Sequence, residues 1–292
     1  MTQRKSLLAP ASLLAGAVVW GLAWYPYRVL EEMAVSAVLG ATATYGVALL
    51  LGLALLRRQL GRARPDGLLL MIALASGGLN LGYVVATVHG EVMRVLLLFY
   101  LAPLWTVLLA RALLGETIGG AGAVVIALSL GGALVMLWQP QQGFPLPREG
   151  AEWLGLAAGL LFALANVLSR KAQRHSVEVK SLAAFAGVVV IGLALLPVYP
   201  AAVVAPPAQG WLLIMLVGLA LLATNLVVQY GLTHLPANRA IVLFLFELVV
   251  AAFSSWLLAG EAMGPKEWAG GAMIVAASLL SDRLETGSGG AG

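Results

Sequence analysis

Residues 210–232 have the sequence GWLLIMLVGLALLATNLVVQYGL, which contains no charged side chain. A helix of that length is about 35 Å long, enough to cross the roughly 30 Å hydrocarbon core of a bilayer. Strands of a membrane barrel would instead alternate apolar and polar residues over about ten positions. The whole chain shares this character, since 61% of its 292 residues are hydrophobic and only 10% are charged. This composition excludes a soluble or a disordered protein and predicts an all-α polytopic membrane protein.

Apolar segments of this kind recur along the chain and predict ten transmembrane helices. Charged, proline and turn residues separate them, and the first one extends past the length of a signal peptide, so we expect it to be retained. The predicted helices cover residues 7–28, 35–56, 67–88, 93–114, 118–138, 153–170, 180–197, 210–232, 237–259 and 266–281.

The basic residues predict the orientation of these helices. With the amino terminus in the cytoplasm, thirteen of the 17 Lys and Arg residues lie in inner segments and four in outer segments. The positive-inside rule therefore favours a bacterial inner-membrane protein with both termini cytoplasmic. The inner residues are Arg4, Lys5, Arg57, Arg58, Arg62, Arg64, Arg111, Arg170, Lys171, Arg174, Lys180, Arg239 and Arg283, and the outer ones are Arg28, Arg94, Arg148 and Lys266.

An internal repeat appears when the chain is shifted by 145 residues. The aligned pairs are Asn80 with Asn225, His89 with His234, Arg94 with Arg239, Phe99 with Phe244 and Glu116 with Glu261. A shift of 142 aligns Arg28 with Arg170. These matches predict two five-helix repeats, 1–140 and 141–282, followed by a flexible tail, 283–292. Because five is odd, the second repeat is expected to be inverted, as in secondary transporters. Fold duplication in a membrane protein that transports nothing is the alternative.

A motif in the fourth predicted helix resembles a known family. Leu101-Ala102-Pro103-Leu104, continuing to Leu114-Gly115-Glu116, is similar to the helix-four motif of the drug/metabolite transporter superfamily, EamA type. Trp256 to Glu261 resembles the same ending in the second half, although Leu248 stands where the ninth helix usually has proline. Within the superfamily, the chain resembles the YddG-type aromatic amino acid exporters. That resemblance implies amino acid export, a direction that the residues themselves do not indicate.

Residues that would support catalysis or cofactor binding are scattered or missing. The chain has no Cys, its three His residues are not at metal-ligand spacing, and none of its four Lys residues belongs to a phosphate-binding loop. We therefore expect no enzyme activity, no metal and no cofactor. The net charge of +4 does not indicate nucleic-acid binding, so the expected partners are the lipid bilayer and a small-molecule substrate, with the protein a monomer or weak oligomer.

Polar and aromatic residues inside the predicted helices are the candidates for substrate binding, because such groups face the bundle interior or a cavity. Asn80, Tyr83 and Thr87 share one face of the third helix, and Asn225 and Gln229 share one face of the eighth. We expect these two faces to look at each other. Interhelical hydrogen bonds or an interfacial aromatic belt are the structural alternatives. The predicted substrate-binding residues are Trp20, Trp24, Asn80, Tyr83, Tyr100, Asn166, Asn225 and Gln229.

Three further residues are predicted to have roles in coupling or motion. Glu247 lies near the middle of the ninth helix, where a carboxyl group is a candidate for proton coupling or for binding a cation, and a neutral, protonated Glu247 hydrogen-bonded to a neighbour is the alternative. His89 is a second candidate coupling or charge site. Pro103 interrupts the fourth helix and is predicted to act as a hinge, whereas the ninth helix, with Leu248 at that place, is expected to be straighter. Glu116 and Glu261 are expected to form structural turns.

These features together predict a secondary transporter that exports amino acids, preferably aromatic or apolar ones, by alternating access. Aromatic rings would stack on the substrate side chain and the amides would bind its amino and carboxylate groups. A phosphorylated sugar is disfavoured, because no Arg or Lys is expected at mid-depth. A hydrophobic-cation exporter, an amino-acid-permeable channel and a scaffold without transport activity remain as alternatives.

Overall fold

The computed structural model describes residues 2–60, 65–90, 92–138, 146–198, 206–259 and 263–281. All regular elements in these ranges are helices. They are α1 (Thr2–Leu22), α2 (Trp24–Glu32), α3 (Ala37–Leu55), α4 (Arg57–Leu60), α5 (Gly67–His89), α6 (Val92–Phe99), α7 (Ala102–Leu114), α8 (Gly120–Leu137), α9 (Gly150–Lys171), α10 (Val177–Leu195), α11 (Ala208–His234), α12 (Ala237–Phe244), α13 (Phe246–Ala259) and α14 (Pro265–Leu279).

The predicted all-α membrane character is confirmed. Nine segments of the described chain are at least 18 residues long and apolar enough to span a membrane. At the position of the tenth predicted helix lies α14, which has 15 residues and is shorter than the other spans. The tail 283–292, Glu261 and the predicted boundary between the repeats at 140 lie outside the described residues.

Three of the predicted helices are each interrupted. The first is divided at Ala23, the fourth at Tyr100 and Leu101, and the ninth at Leu245. The ninth helix, which was expected to be straighter than the fourth, is therefore interrupted as well. At its break the N–H of Leu248 donates to the carbonyl of Leu245 at 3.1 Å, three residues back instead of four. Three-residue bonds of this type tighten a helix locally, so no proline is needed for the interruption.

Side-chain caps determine where several helices begin. Ser36, Asp66 and Ser176 have extended backbone conformations, and each accepts a hydrogen bond from the N–H group three residues later. Ser and Asp are favoured at such positions because their oxygens satisfy N–H groups that have no partner inside the helix. The short helix α4, which begins with the basic pair Arg57 and Arg58, was not predicted from the pattern.

Packing between helices follows the same scheme in the two halves of the chain. Helix α5 packs on α9 and α10, and the repeat-related helix α11 packs on α1 and α3. Gly187 of α10 lies against the carbonyl of Ala73, and Gly218 of α11 lies against the carbonyl of Thr44. These contacts occupy equivalent places in the repeat, because Ala73 aligns with Gly218 at the shift of 145. Helices α8 and α14 pack on each other.

Polar contacts define the two ends of the bundle. At one end, named here the Arg94 end, the buried guanidinium of Arg94 forms an ion pair with buried Glu152, with Nε and Oε1 2.5 Å apart. At the opposite end of α9, named the Glu116 end, the carboxylate of Glu116 accepts hydrogen bonds from the N–H of Ala237 at 3.0–3.1 Å and from Asn238 at 3.3 Å. Each contact joins the first half of the chain to the second.

Candidate functional site

An aromatic cluster lies where the two halves of the chain meet. Its ring centroids form a continuous series, from Trp20 to Phe244 at 5.4 Å, on to Phe162 at 5.5 Å and on to Phe99 at 5.5 Å. Phe99 also contacts Tyr83 at 5.1 Å and Tyr100 at 5.2 Å. Tilted and edge-on ring pairs at these distances stabilise each other, and Phe99, Phe162 and Phe244 are buried.

The aromatic cluster is built from equivalent positions in the two halves. Phe99 aligns with Phe244 at the shift of 145, and Trp20 aligns with Phe162 at the shift of 142. The contact of Trp20 with Phe244 therefore corresponds to that of Phe162 with Phe99. Gly159 allows Phe162 and Phe99 to lie close together, because a side chain at position 159 would collide with the carbonyl of Phe99 at 2.4 Å.

A partly buried carboxyl group borders this aromatic cluster. Glu247, in the first turn of α13, forms a side-chain hydrogen bond with Tyr100 and lies within electrostatic range of Tyr45 and Tyr83. The Tyr45 hydroxyl donates to Oδ1 of Asn80 at 2.8 Å. We name these residues, Glu247, Tyr100, Tyr83, Tyr45 and Asn80, the Glu247 cluster. It places a titratable group among phenol and amide groups at the interface between the halves.

The three other amides predicted for substrate binding lie in a second group, nearer the Glu116 end. Gln229 donates from Nε2 to Oγ of Ser169 at 3.3 Å, and Thr233 donates to the carbonyl of Gln229 at 2.7 Å. The ammonium of Lys180 donates to the carbonyl of Ser169 at 3.0 Å and to the hydroxyl of Thr233. Lys180, Ser169, Gln229 and Thr233 are named the Lys180 cluster.

Three amides on the helices that contribute to this cluster, α9 and α11, have buried atoms without hydrogen bonds. Nδ2 of Asn166, Oδ1 of Asn225 and Oε1 of Gln229 are buried and have no partner among the described residues. Asn166 is one turn from Arg170 on α9, and Asn225 is one turn from Gln229 on α11. Buried polar atoms are nearly always paired in proteins, so three of them in one region indicate a place for polar ligand groups.

A pocket of about 570 Å³ opens at the Glu116 end beside these residues. Its wall is formed by the ends of α7 and α9. The lining residues are Leu113, Leu114, Glu116, Arg170, Lys171 and Gln173.

A partly buried polar contact joins helices at the same end. Asp66 accepts from the N–H of Leu69 at 3.0 Å and contacts Nε2 of His175 at 2.8 Å, and it forms an ion pair with Arg174. The Leu69 bond, then the His175 bond, lower the pKa of Asp66 to about 2.

Comparison with known proteins identifies the family. The sequence model of the EamA-like transporter family matches residues 7–138 and again residues 150–281, which together cover most of the chain. The chain belongs to the EamA-like transporter family. It is also 28% identical over 224 residues to an uncharacterised transporter of Archaeoglobus fulgidus, an alignment that covers 75% of this chain and 78% of that protein. A protein of known crystal structure has the same fold, with a TM-score of 0.76 and 18% identity over 94% of this chain and 98% of that one.

The predicted substrate-binding residues of this EamA-like transporter do not form one polar face. Trp20, Tyr83 and Tyr100 belong to the aromatic cluster. Trp24 lies outside it and donates from Nε1 to Oγ of Ser254 at 2.9 Å. The helix faces that carry Asn80 and Asn225 were expected to face each other, but their hydrogen bonds go to different helices. Asn80 pairs with α3, and Gln229 pairs with α9. The amides that were expected to share one site therefore lie in two clusters.

Two further predicted residues have local contacts in this transporter. His89 is exposed, and its Nδ1 contacts the carbonyl of Val85 at 3.0 Å in the preceding turn. Pro103 is buried in the first turn of α7, directly after the break at Tyr100 and Leu101. Proline is well tolerated at a helix start, where its missing N–H would have had no partner.

Sequence reasoning missed several residues of these clusters. Phe99 and Phe244 were noted only as repeat matches, and Phe162 was not noted, although it aligns with Trp20. Tyr45 lies in a helix that offered no polar pattern. Lys180 was predicted to start the seventh helix at its cytoplasmic end, but it is fully buried within α10. Its position after the capping residue Ser176 would have been the signal that α10 begins earlier.

Proposed function

We propose that this EamA-like transporter exports amino acids, with aromatic and apolar side chains favoured, by alternating access across the bacterial inner membrane. The observation that carries the proposal is the aromatic cluster at the interface between the halves, with the Glu247 cluster bordering it and the Lys180 cluster farther along α9. Stacking on tilted rings suits an aromatic side chain. The protein would move its substrate unchanged, without enzyme activity.

The relation between the halves supports alternating access. Matched ring contacts, matched helix packing and the double match to one family are what an inverted repeat would produce. In such transporters the substrate site lies between the repeats near the bilayer midplane, and one repeat moves against the other around it. The aromatic cluster has that location in the chain, since Trp20 and Phe99 come from the first half and Phe162 and Phe244 from the second.

The distribution of basic residues supports a cytoplasmic Glu116 end. Arg170, Lys171, Arg174 and Lys180 all lie at that end, through contacts with Thr233, Asp66 and the pocket wall. Basic residues concentrate on the cytoplasmic side of inner-membrane proteins. In that orientation the pocket beside α7 and α9 faces the cytoplasm, which is the side from which an exporter takes its substrate.

A hydrophobic cation is the second candidate substrate, because Glu247 lies beside aromatic rings. A carboxylate with aromatic faces binds a cationic group through charge attraction and cation–π contacts. The amides of the Lys180 cluster favour the amino acid instead, since a simple cation offers them no carboxylate to bind.

Flux measurements on purified protein in liposomes test the proposal. Radiolabelled phenylalanine, leucine, alanine and a hydrophobic cation are supplied with and without a pH gradient. We expect saturable flux of phenylalanine above that of alanine. Flux that does not saturate would identify a channel, and flux of the cation alone would place the protein with multidrug exporters.

Substitutions separate the side-chain contacts from the amide contacts. Tyr83→Ala and Tyr100→Ala should weaken the binding of phenylalanine more than that of alanine, since a lost aromatic contact costs about 0.5–1.5 kcal/mol. Asn225→Ala and Gln229→Ala should weaken the binding of all amino acids by about 1–3 kcal/mol, roughly 5- to 150-fold in affinity. Equal losses for every substrate in all four variants would contradict this division.

A further inference from the structure

Two cationic side chains at the Glu116 end meet at Thr233 without a carboxylate partner. Lys180 donates to the Thr233 hydroxyl and Arg170 donates to the Thr233 carbonyl. In the described part of the chain, neither side chain forms an ion pair with Asp or Glu. The ammonium of Lys180 is also completely buried, with 0% of the residue exposed. Buried charges in proteins are otherwise paired, so this arrangement calls for an anion.

The place of Lys180 in its helix increases the positive potential. Ser176 caps α10, so Lys180 lies close to the helix amino terminus. The helix dipole is positive there and disfavours a cation, which makes a lysine costly at this position unless an anion binds.

The amides around Lys180 match the remaining groups of a small anionic solute. Asn166 is 6% exposed and Gln229 5% exposed, and each has a buried amide atom without a hydrogen-bond partner among the described residues. Nδ2 of Asn166 is a donor, which suits a carboxylate oxygen. Oε1 of Gln229 is an acceptor, which suits an ammonium group beside that carboxylate.

We propose that Lys180, with Arg170 and the amides of Asn166 and Gln229, forms a subsite that binds the carboxylate of a small solute on its way from the pocket at the Glu116 end to the aromatic cluster. The proposal rests on the proposed export of amino acids and adds the group that recognises their shared carboxylate.

Helix α9 provides the route between these places. Arg170 lines the pocket, Ser169 and Asn166 follow toward the bundle centre, and Phe162 belongs to the aromatic cluster. At 1.5 Å per residue, Ser169 and Phe162 are about 10 Å apart along the helix. Bound at the subsite, a carboxylate would therefore lie within about one amino acid length of the aromatic rings.

Binding to purified protein in detergent, followed by the change in tryptophan fluorescence, tests the subsite. The probes are phenylalanine, phenylalaninamide, in which a neutral amide replaces the carboxylate, and inorganic phosphate. In the unchanged protein we expect phenylalanine to bind about 10- to 100-fold more tightly than phenylalaninamide, as charge-assisted hydrogen bonds require. This comparison needs no variant and holds even if a substitution prevents folding.

Lys180→Gln removes the charge but keeps donors for Ser169 and Thr233, and Lys180→Met removes both. In either variant, most of the difference in affinity between phenylalanine and phenylalaninamide should disappear, while the Kd of phenylalaninamide changes less than threefold. Lys266→Met, which removes a half-exposed lysine distant in sequence, is the control and should keep the difference. Thermal unfolding of each variant in detergent measures whether the fold is intact.

Other outcomes overturn the subsite. Equal weakening of phenylalanine and phenylalaninamide in Lys180→Gln would make Lys180 a structural residue. Lys180-dependent binding of phosphate, together with equal binding of phenylalanine and phenylalaninamide, would show that Lys180 and Arg170 bind a phosphate group instead. Flux of phenylalanine that persists without a carboxylate preference would refute the subsite but not amino acid export. Absence of any flux or binding of amino acids would refute the proposed function itself.

Discussion

Glu247 lies at the interface between the interrupted fourth and ninth helices. It lies directly after the break between α12 and α13, hydrogen-bonds Tyr100 from the other half, and borders the aromatic cluster. A carboxyl group within a membrane span is costly and generally serves a function. Because its partner Tyr100 flanks the equivalent break in the first half, a change in the charge of Glu247 would act on both breaks at once.

Glu247→Gln tests proton coupling. Glutamine keeps the shape and a hydrogen bond to Tyr100 but cannot titrate. We expect uptake driven by a pH gradient to fall at least tenfold, because glutamine cannot carry the coupled proton, whereas exchange of labelled for unlabelled phenylalanine at equal pH stays within about threefold, because the hydrogen bond to Tyr100 is kept. Both fluxes are measured in liposomes.

The matched control is Glu32→Gln, which removes an exposed carboxylate whose ion-pair partner among the described residues is Arg28. Unchanged gradient-driven uptake in Glu247→Gln would exclude this carboxyl group as the coupling site.

At the scale of elements, the two breaks at Tyr100 and Leu245 have different chemistry at equivalent positions. Pro103 cannot donate a hydrogen bond, whereas Leu248 donates to Leu245 three residues back. The equivalent helix is interrupted in both halves, so a break forms either with proline or with a hydrogen bond three residues back. The Glu116 carboxylate follows α7 because Gly115, at φ +70°, ends that helix in the left-handed conformation. It then caps α12, which begins the interrupted helix of the other half.

Pro103→Ala should keep the protein folded but slow transport. The new N–H can donate to the carbonyl of Phe99 and stiffen the break, so we expect a two- to tenfold lower flux, or about 0.4–1.4 kcal/mol of barrier. Pro265→Ala, at the start of α14, is the control for a helix-starting proline. Flux equal to that of the unchanged protein, at equal reconstitution, would argue against a hinge at Pro103.

Asp66 joins the start of α5 to the segment between α9 and α10, and its pKa predicts a dependence on pH. The folded-state pKa is about 2, below the ordinary value of about 3.9, so the carboxylate stabilises the fold above about pH 4. This contribution disappears as the pH falls from about 4 to 2. Asp66→Asn should therefore lower the Tm at pH 7, and the difference in Tm from the unchanged protein should shrink by pH 2.

Thermal unfolding in detergent between pH 7 and pH 2 measures this difference. Glu178→Gln serves as a control carboxylate in the neighbouring first turn of α10. A difference that persists unchanged at pH 2 would mean that the charge of Asp66 is not what stabilises the contact.

Helix positions were predictable from the sequence because charges and turn residues end apolar segments sharply in a membrane protein. The bounds of α5 and α9 differ from prediction by at most three residues. The breaks at Ala23 and Leu245 were not predictable, since no Gly or Pro occupies either position. The hydrogen bonds formed across each break determine where the helix is interrupted. Lys180 shows a similar limit, because a basic residue near a helix end looks like an interfacial residue until its neighbours are known.

For the whole molecule, the repeat in the sequence predicted that polar and aromatic residues from both halves would meet. It predicted neither which would meet nor how they divide between clusters, because side-chain partners depend on how the helices are rotated about their axes. Asn80 and Asn225 are repeat-related, yet Asn80 bonds Tyr45 of α3, whereas Oδ1 of Asn225 has no partner among the described residues. The two halves share a backbone plan but carry different polar chemistry, as a transporter with an asymmetric substrate would need.

Contacts between the halves at both ends of the bundle make a test of alternating access possible. A carrier must open each end in turn, whereas a channel conducts with both ends open. The chain contains no cysteine, so cysteines introduced at Asp66 and Arg174, which contact each other at the Glu116 end, would be its only thiols. A short bifunctional thiol reagent should then abolish phenylalanine exchange, because the end that it holds together cannot open, and cleavage of a reducible linker should restore it. The Asp66→Cys and Arg174→Cys single variants, treated in the same way, should each retain exchange at the rate of their untreated form. A linked double variant that still exchanges at the unlinked rate would show that this end does not open during transport.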